Sequence, residues 1–238
     1  MLGPVLAIGL DRKNFSHLSN PDLQAMPYLA VCHVANAVKA SALSNEQGMH
    51  SVAVCLVRQC VEAITIFEIS LQDRSFAEPL LMAWKEGSKS QGELRRSLEN
   101  HVWTSYGTGL WEELWAEFFG NLARSVQPYA HYTPELQGWQ FATVNYSGGH
   151  EFTVMVGPGT YDALQASRVT LLHCLVGWAM ARVLLASKRN SGIRQWSVEI
   201  DELGRALAKS KLLFHRADWG AQLAPHMLFL PGHDWTDE

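Results

Sequence analysis

A mainly α-helical bundle of five to seven helices with one inserted β-hairpin is the fold class this chain predicts, and three observations predict it. Apolar residues recur at helical spacing through most of the 238 positions. Only residues 139–156 change to an alternating pattern, WQFATVNY and HEFTVMV on either side of a Gly-Gly turn. A hydrophobic content of 47% against 18% charged residues is enough for one large core and argues against disorder. Residues 1–238 are therefore expected to form a single domain. Its bundle core spans about 28–187, the hairpin about 139–156, and the C-terminal helix and tail 197–238.

Taken in order, residues 1–26 read as irregular, with Pro27 in the first turn of a helix that runs over 28–43. The central helix follows at about 48–73. Its apolar residues cover most of the circumference, as in a helix buried on most sides. A shorter helix has Ser75 as its cap and Gly87 as its stop. Residues 91–105 are helical with the most charged face in the chain. Residues 109–127 form an amphipathic helix, with Glu112 and Glu113 in its first turn and Pro128 ending or kinking it. After the hairpin, 160–187 reads as the longest helix and 197–210 as a weaker one. The apolar run 171–186 contains His173 and Arg182, which marks it as a core helix rather than a membrane span. His173 itself reads as a satisfied core histidine.

Several chemistries lack their residues. There is no glycine-rich phosphate loop with its lysine, no HExxH, no CxxC and no GxSxG. The only tail grouping of metal-ligating type is His226 and His233 with Asp234, and no metal or other cofactor is expected. Cys32, Cys55, Cys60 and Cys174 lie in apolar runs and read as reduced, buried thiols of a soluble cytoplasmic protein. The apolar start lacks a basic leader region and is too short to span a membrane. A formal net charge of −4 gives no global attraction to nucleic acid, so such contact needs a local basic patch. Arg95-Arg96, Lys188-Arg189 with Arg194, and Lys209, Lys211 and Arg216 are the available clusters.

Two patterns carry chemistry. On the central helix Ser51, Cys55, Arg58, Glu62 and Thr65 are spaced four, three, four and three, which makes one narrow polar seam. Within it Arg58 and Glu62 stand one turn apart and can pair. The seam is either a strip of solvent contact or part of an internal network, cleft or subunit interface. About 60 residues later Arg124 and His131 stand seven positions apart, close to two helical turns, so a continuous helix would put both on one face. That pair suits metal-free phosphodiester cleavage. An imidazole exchanges a proton near neutral pH, and a guanidinium holds a phosphate and stabilises added transition-state charge. The alternative is a capping or turn contact of His131.

The order of these two patterns resembles the HEPN superfamily of helical bundles (higher eukaryotes and prokaryotes nucleotide-binding), over roughly residues 28–187. It is most similar to bacterial relatives in which an R-x-x-x-E helix precedes a helix ending near a histidine. The resemblance implies a metal-independent endoribonuclease, a toxin or antiviral effector acting as a homodimer. Arg124 and His131 would match the catalytic motif, and Arg58, Glu62 and Ser125 would form the supporting polar cleft. RNA would be the substrate, with a protein partner or antitoxin as restraint. The family usually has Asn, Asp or His after the motif arginine, where this chain has Ser125, and Pro128 within the motif is unusual. The competing expectation is a non-catalytic interaction or nucleotide-sensing module in which the same residues form a structural network.

Overall fold

Helix α3, His50–Ser70, is the axis of the architecture. Its apolar circumference has Val54, Val57, Val61, Ile64, Phe67 and Ile69 fully buried, so neighbours must surround it. In the computed structural model they do. The structure describes residues 2–133, 136–137, 139–146, 149–154, 161–187 and 192–210. Among these are eight α-helices, one more than the expected upper bound. The additional helix comes from the N-terminal segment read as irregular.

That helix, α1 (Leu2–Gly9), packs on the bundle through Val5, and Gly9 sits against Phe67, Val31 and Met180. Helix α2 (Pro21–Glu46) begins six residues before Pro27, and at 26 residues it is the longest described helix. Its cap is Asn20, whose side-chain oxygen accepts from the Asp22 N–H at 2.8 Å, with Pro21 in the first turn. SNPDLQAMP contains two prolines, and the start signal belongs to the first. Pro27 lies inside the helix, where the core packing of Leu23, Ala30 and Val31 outweighs one missing hydrogen bond. Asn20→Ala should lower stability by about 1 kcal/mol, measured by urea denaturation. An unchanged midpoint would count against this helix start.

Gly48, at φ +77°, turns the chain from α2 into α3, and the short connection makes the two helices antiparallel neighbours. Helix α4 (Arg74–Lys85) starts after Asp73 rather than at a Ser75 cap, and Gly87 at φ +72° ends it as expected. Helix α5 (Gln91–His101) opens on a full capping box between Ser90 and Glu93. Helix α6 (Trp115–Val126) starts later than the expected 109. The preceding loop is held instead by a Thr108–Leu114 bridge, positive φ at Gly107 and Glu112, and the Glu113 carboxylate accepting from the Trp111 N–H at 2.7 Å. Glu113 thus serves the loop and not a first helical turn, and Leu114, counted on the apolar stripe, is 64% exposed.

Pro128 ends α6 as its missing N–H requires, and a 3-10 turn Gln127–Ala130 follows. Strands β1 (Phe141–Tyr146) and β2 (Gly149–Val154) pair antiparallel, Phe141 opposite Val154 and Tyr146 opposite Gly149. Residues 147–148 of the expected Gly-Gly turn, the expected hairpin end 155–156, and 157–160 lie outside the described residues. Helix α7 (Ala163–Ala186), capped by Asp162, packs on α3, α2 and α1. It is the one described helix long and apolar enough to cross a membrane, and most of it is buried inside the bundle. Helix α8 (Ser197–Ala208) packs against it. Buried side chains from α1 through α8 form one continuous apolar cluster.

The helix ends around α3 are fastened by two histidine relays. His50 binds the Asn45 side-chain oxygen through Nδ1 at 2.7 Å, and its Nε2 accepts the Asp162 N–H at 3.2 Å. The Asn45 amide donates in turn to the Ala166 carbonyl at 2.9 Å. Further along, the Ser41 hydroxyl donates to the Ala53 carbonyl, so its 2.6 Å contact with His173 Nε2 requires the proton on that nitrogen. His173 is the satisfied histidine that its apolar surroundings suggested.

Candidate functional site

The polar seam of α3 divides by environment. Thr65 is fully buried and bonds back to the Val61 carbonyl, whereas Arg58 and Glu62 are about one-quarter exposed and pair at 2.8 Å. That pair faces an open cleft of about 540 Å³. The first turns of α5 supply Gln91, Gly92, Arg95 and Arg96, and Glu99 follows one turn later. The C-terminal half of α6 supplies Gly120, Ala123 and Arg124, with Trp103 between the two helices.

Charge in this cleft is unbalanced. Among the described residues that line it, four arginines, Arg58, Arg95, Arg96 and Arg124, stand against two carboxylates, Glu62 and Glu99. Burial pushes the Arg95 guanidinium down from its ordinary value, Glu62 holds it up, and Arg58 adds repulsion. An anion entering the cleft would relieve this repulsion. At the N-terminus of α5 the capping box takes the Glu93 N–H and sets the Glu93 carboxylate on the positive dipole end, which leaves the Gln91 and Gly92 N–H groups without an intrahelical acceptor. Gly92 has no heavy atom other than Ser90 Oγ, at 4.0 Å, near the position of an added Cβ, so this backbone is approachable.

Arg124 is placed by its own helix. Its guanidinium folds back one turn, donating to the Asn121 side-chain oxygen and lying beside Gly120. Ser125 is the next residue, about 100° further around the helix. It is buried at 1% exposure and donates to the Leu122 carbonyl at 2.7 Å. Ser125 is therefore a core residue and not part of the polar cleft, a correction to the expectation for this position.

His131 is exposed and extended at φ −135°, beyond the 3-10 turn. It is not among the residues lining the cleft that contains Arg124. The shared face needed a helix continuous through position 131, and Pro128 breaks it. The structure brings Arg58, Glu62 and Arg124 together and leaves His131 and Ser125 out.

Behind the cleft wall lies a carboxyl group that the sequence did not mark. Trp103 Nε1 donates to Glu68 Oε1 at 2.7 Å, and Glu68 is fully buried on α3. Burial pushes its carboxyl up to about 8, against the opposing hydrogen bonds of Trp103 and Tyr106. At neutral pH it is mostly the neutral acid, so it adds little negative charge behind the arginines. Gln91, on the cleft wall, was equally unmarked. Arg95-Arg96 was legible as a basic cluster.

The other candidates stand apart. Arg194 and Lys209 flank α8, away from the cleft. Lys188, Arg189, Lys211, Arg216, His226, His233 and Asp234 lie outside the described residues. No group of three or more His, Cys, Asp or Glu that could hold a metal occurs among the described residues. The cysteines are unpaired but not uniformly buried. Cys60 is buried, its thiol pushed up to about 12, whereas Cys32 is exposed because its face of α2 opens to a cavity rather than the core. No family model, curated protein or solved structure matches the chain.

Proposed function

We propose that this helical bundle is a HEPN-like module that binds a phosphodiester-bearing ligand, RNA in the first place, in the cleft between α3, α5 and α6. The observation that carries the proposal is the gathering of Arg58, Arg95, Arg96 and Arg124 against two glutamates at the N-terminal end of α5. Arginine forks match phosphate oxygens in pairs, and the partly desolvated cleft strengthens each contact. Ligand binding is thus assigned to the single chain, with Arg58, Arg95, Arg96 and Arg124 as the groups that hold the phosphate. On this reading the two strands, Phe141–Tyr146 and Gly149–Val154, are an insertion into the bundle. The four unpaired cysteines fit a reducing, cytoplasmic compartment.

A second reading, metal-independent RNA cleavage by a homodimeric toxin or antiviral effector, is favoured by the exposure of His131. An exposed imidazole can be lent to the cleft of a second copy, where it would take the 2′-hydroxyl proton while Arg124 stabilises the phosphorane charge. A restraining protein partner or antitoxin belongs to this reading.

Fluorescence anisotropy with labelled single-stranded RNA tests both. Arg95→Ala and Arg124→Ala should each weaken binding about fivefold or more. The logarithm of affinity should fall with that of salt at a slope of about −2 to −3, as for three or four phosphate contacts. Binding that ignores salt and both arginines would end the first reading. RNA cleavage that disappears in His131→Ala would establish the second, and intact RNA at every protein concentration would end it.

A further inference from the structure

The arginine cleft does not stop at the Arg58–Glu62 pair. On the other side of that pair, sharing Arg58, Glu62 and Gln91 as common lining, opens a cavity of about 740 Å³. Its walls differ in kind. Met26 from α2, Ala63 and Ile66 from α3, and Trp84 near the end of α4 make it mainly apolar. Leu29, 67% exposed on α2, also lines it. Apart from the shared ion pair, its lining among the described residues holds no acid and no further arginine or lysine. Its polar groups are His33 and three side-chain amides, Asn36, Gln59 and Gln91.

Two features at the junction call for a ligand. Gln91 Oε1 and Arg58 Nε are buried and have no hydrogen-bond partner among the described residues. A native interior rarely leaves such atoms unpaired, so the junction retains hydrogen-bonding capacity that the fold does not use. The cavity also stands beside an excess of positive charge without sharing it. A ligand spanning both halves therefore has an anionic end and a flat, largely apolar end with donors and acceptors on its edge.

We propose that the cavity lined by Met26, Ala63, Ile66 and Trp84 is a nucleobase subsite, seating the base of a ligand whose phosphate lies in the arginine cleft. This rests on the phosphodiester-binding reading above. An aromatic ring such as Trp84 provides a stacking face that any base can use. A carboxamide pairs one donor with one acceptor, the arrangement that reads a base edge. An alkyl chain would leave Asn36, Gln59 and Gln91 desolvated and unpaired, which disfavours a lipid. The combined space suits a nucleotide-sized ligand.

Titration calorimetry of the full chain with the four ribonucleoside 5′-monophosphates, and with ribose 5-phosphate as the baseless probe, decides this. At least one nucleotide should bind about tenfold or more tightly than ribose 5-phosphate. Trp84→Ala should remove that advantage and leave ribose 5-phosphate binding unchanged. Ala63→Phe, which fills the cavity without removing a stacking ring, should do the same. Arg95→Ala should weaken both probes. Equal affinity for nucleotides and ribose 5-phosphate would overturn the base subsite while the arginine cleft stands. An advantage that survives both Trp84→Ala and Ala63→Phe would overturn it too, and failure of every probe to bind would remove the subsite together with the reading on which it rests.

Discussion

Raising the pH from 6.5 to 8 should cost the folded protein about 1 kcal/mol, and Glu68→Gln should abolish that loss. The cause is a single carboxyl. Glu68 is fully buried on α3 and held near 8, whereas in the unfolded chain it returns to about its ordinary 4.5. Between these values the folded state keeps a proton that the unfolded state has released. Stability therefore falls as pH rises through that window and levels off above it. The imidazoles act in the opposite sense at lower pH. Burial pushes His173 down to about 4 from 6.5 and lowers His50 as well, so the unfolded chain takes up protons that the folded chain refuses. Their effect is to raise stability with pH until the unfolded imidazoles are deprotonated, about one unit above their ordinary 6.5, so they offset part of the Glu68 loss at the low end of its window and leave it alone above. Urea denaturation at pH 6.5, 7.25 and 8 reads the slope. A wild type as stable at pH 8 as at 6.5 would remove the neutral-acid assignment. A neutral amide replaces the neutral acid at nearly the same size, so Glu68→Gln should show no loss over this range, only the slight rise that the two imidazoles produce.

Trp115→Ala should destabilise the protein by about 3–5 kcal/mol. The indole is 1% exposed and opens α6 at the centre of an aromatic cluster. Its ring centroid lies 5.4 Å from Phe118, and 5.9 Å from each of Tyr106, Phe119 and Trp178. Removing it leaves a cavity bounded by other rigid rings, which cannot collapse to fill it. Trp115→Phe should cost far less, about 1 kcal/mol, because an aromatic face remains. The lost N–H has no hydrogen-bond partner among the described residues, so nothing is broken by its removal. Equal losses for the two variants in chemical denaturation would show that the cluster is not packed this way. The effect reaches the cleft because α6 also carries Arg124, and a helix start that frays moves that guanidinium.

Some of this was legible residue by residue. The four-residue separation of Arg58 and Glu62 set them on one face of any helix formed there, and they pair. The 3.6-residue period of 48–73 set the central helix, and the Gly87 and Pro128 stops fell where missing Cβ and missing N–H put them. Other readings failed for identifiable reasons. Pro27 looked like a helix start because a proline suits a first turn, but Asn20 and Pro21 supply both cap and proline. The stripe beginning at Leu110 and Trp111 had helical spacing, yet Glu113 gives its carboxylate to a loop N–H and delays the helix to Trp115.

For the candidate site, the chain by itself determined which side chains share a helical face, because that depends only on local backbone geometry. It thereby joined Arg58 to Glu62 and offered Arg95 and Arg96 as a basic pair. Tertiary structure alone decided that Arg124 reaches them and His131 does not, that Ser125 turns inward, and that Trp84 and Gln91 border the same space. Those outcomes follow from how helices cross and where Pro128 interrupts the hydrogen-bond ladder. No spacing within a single segment encodes the distance between two segments.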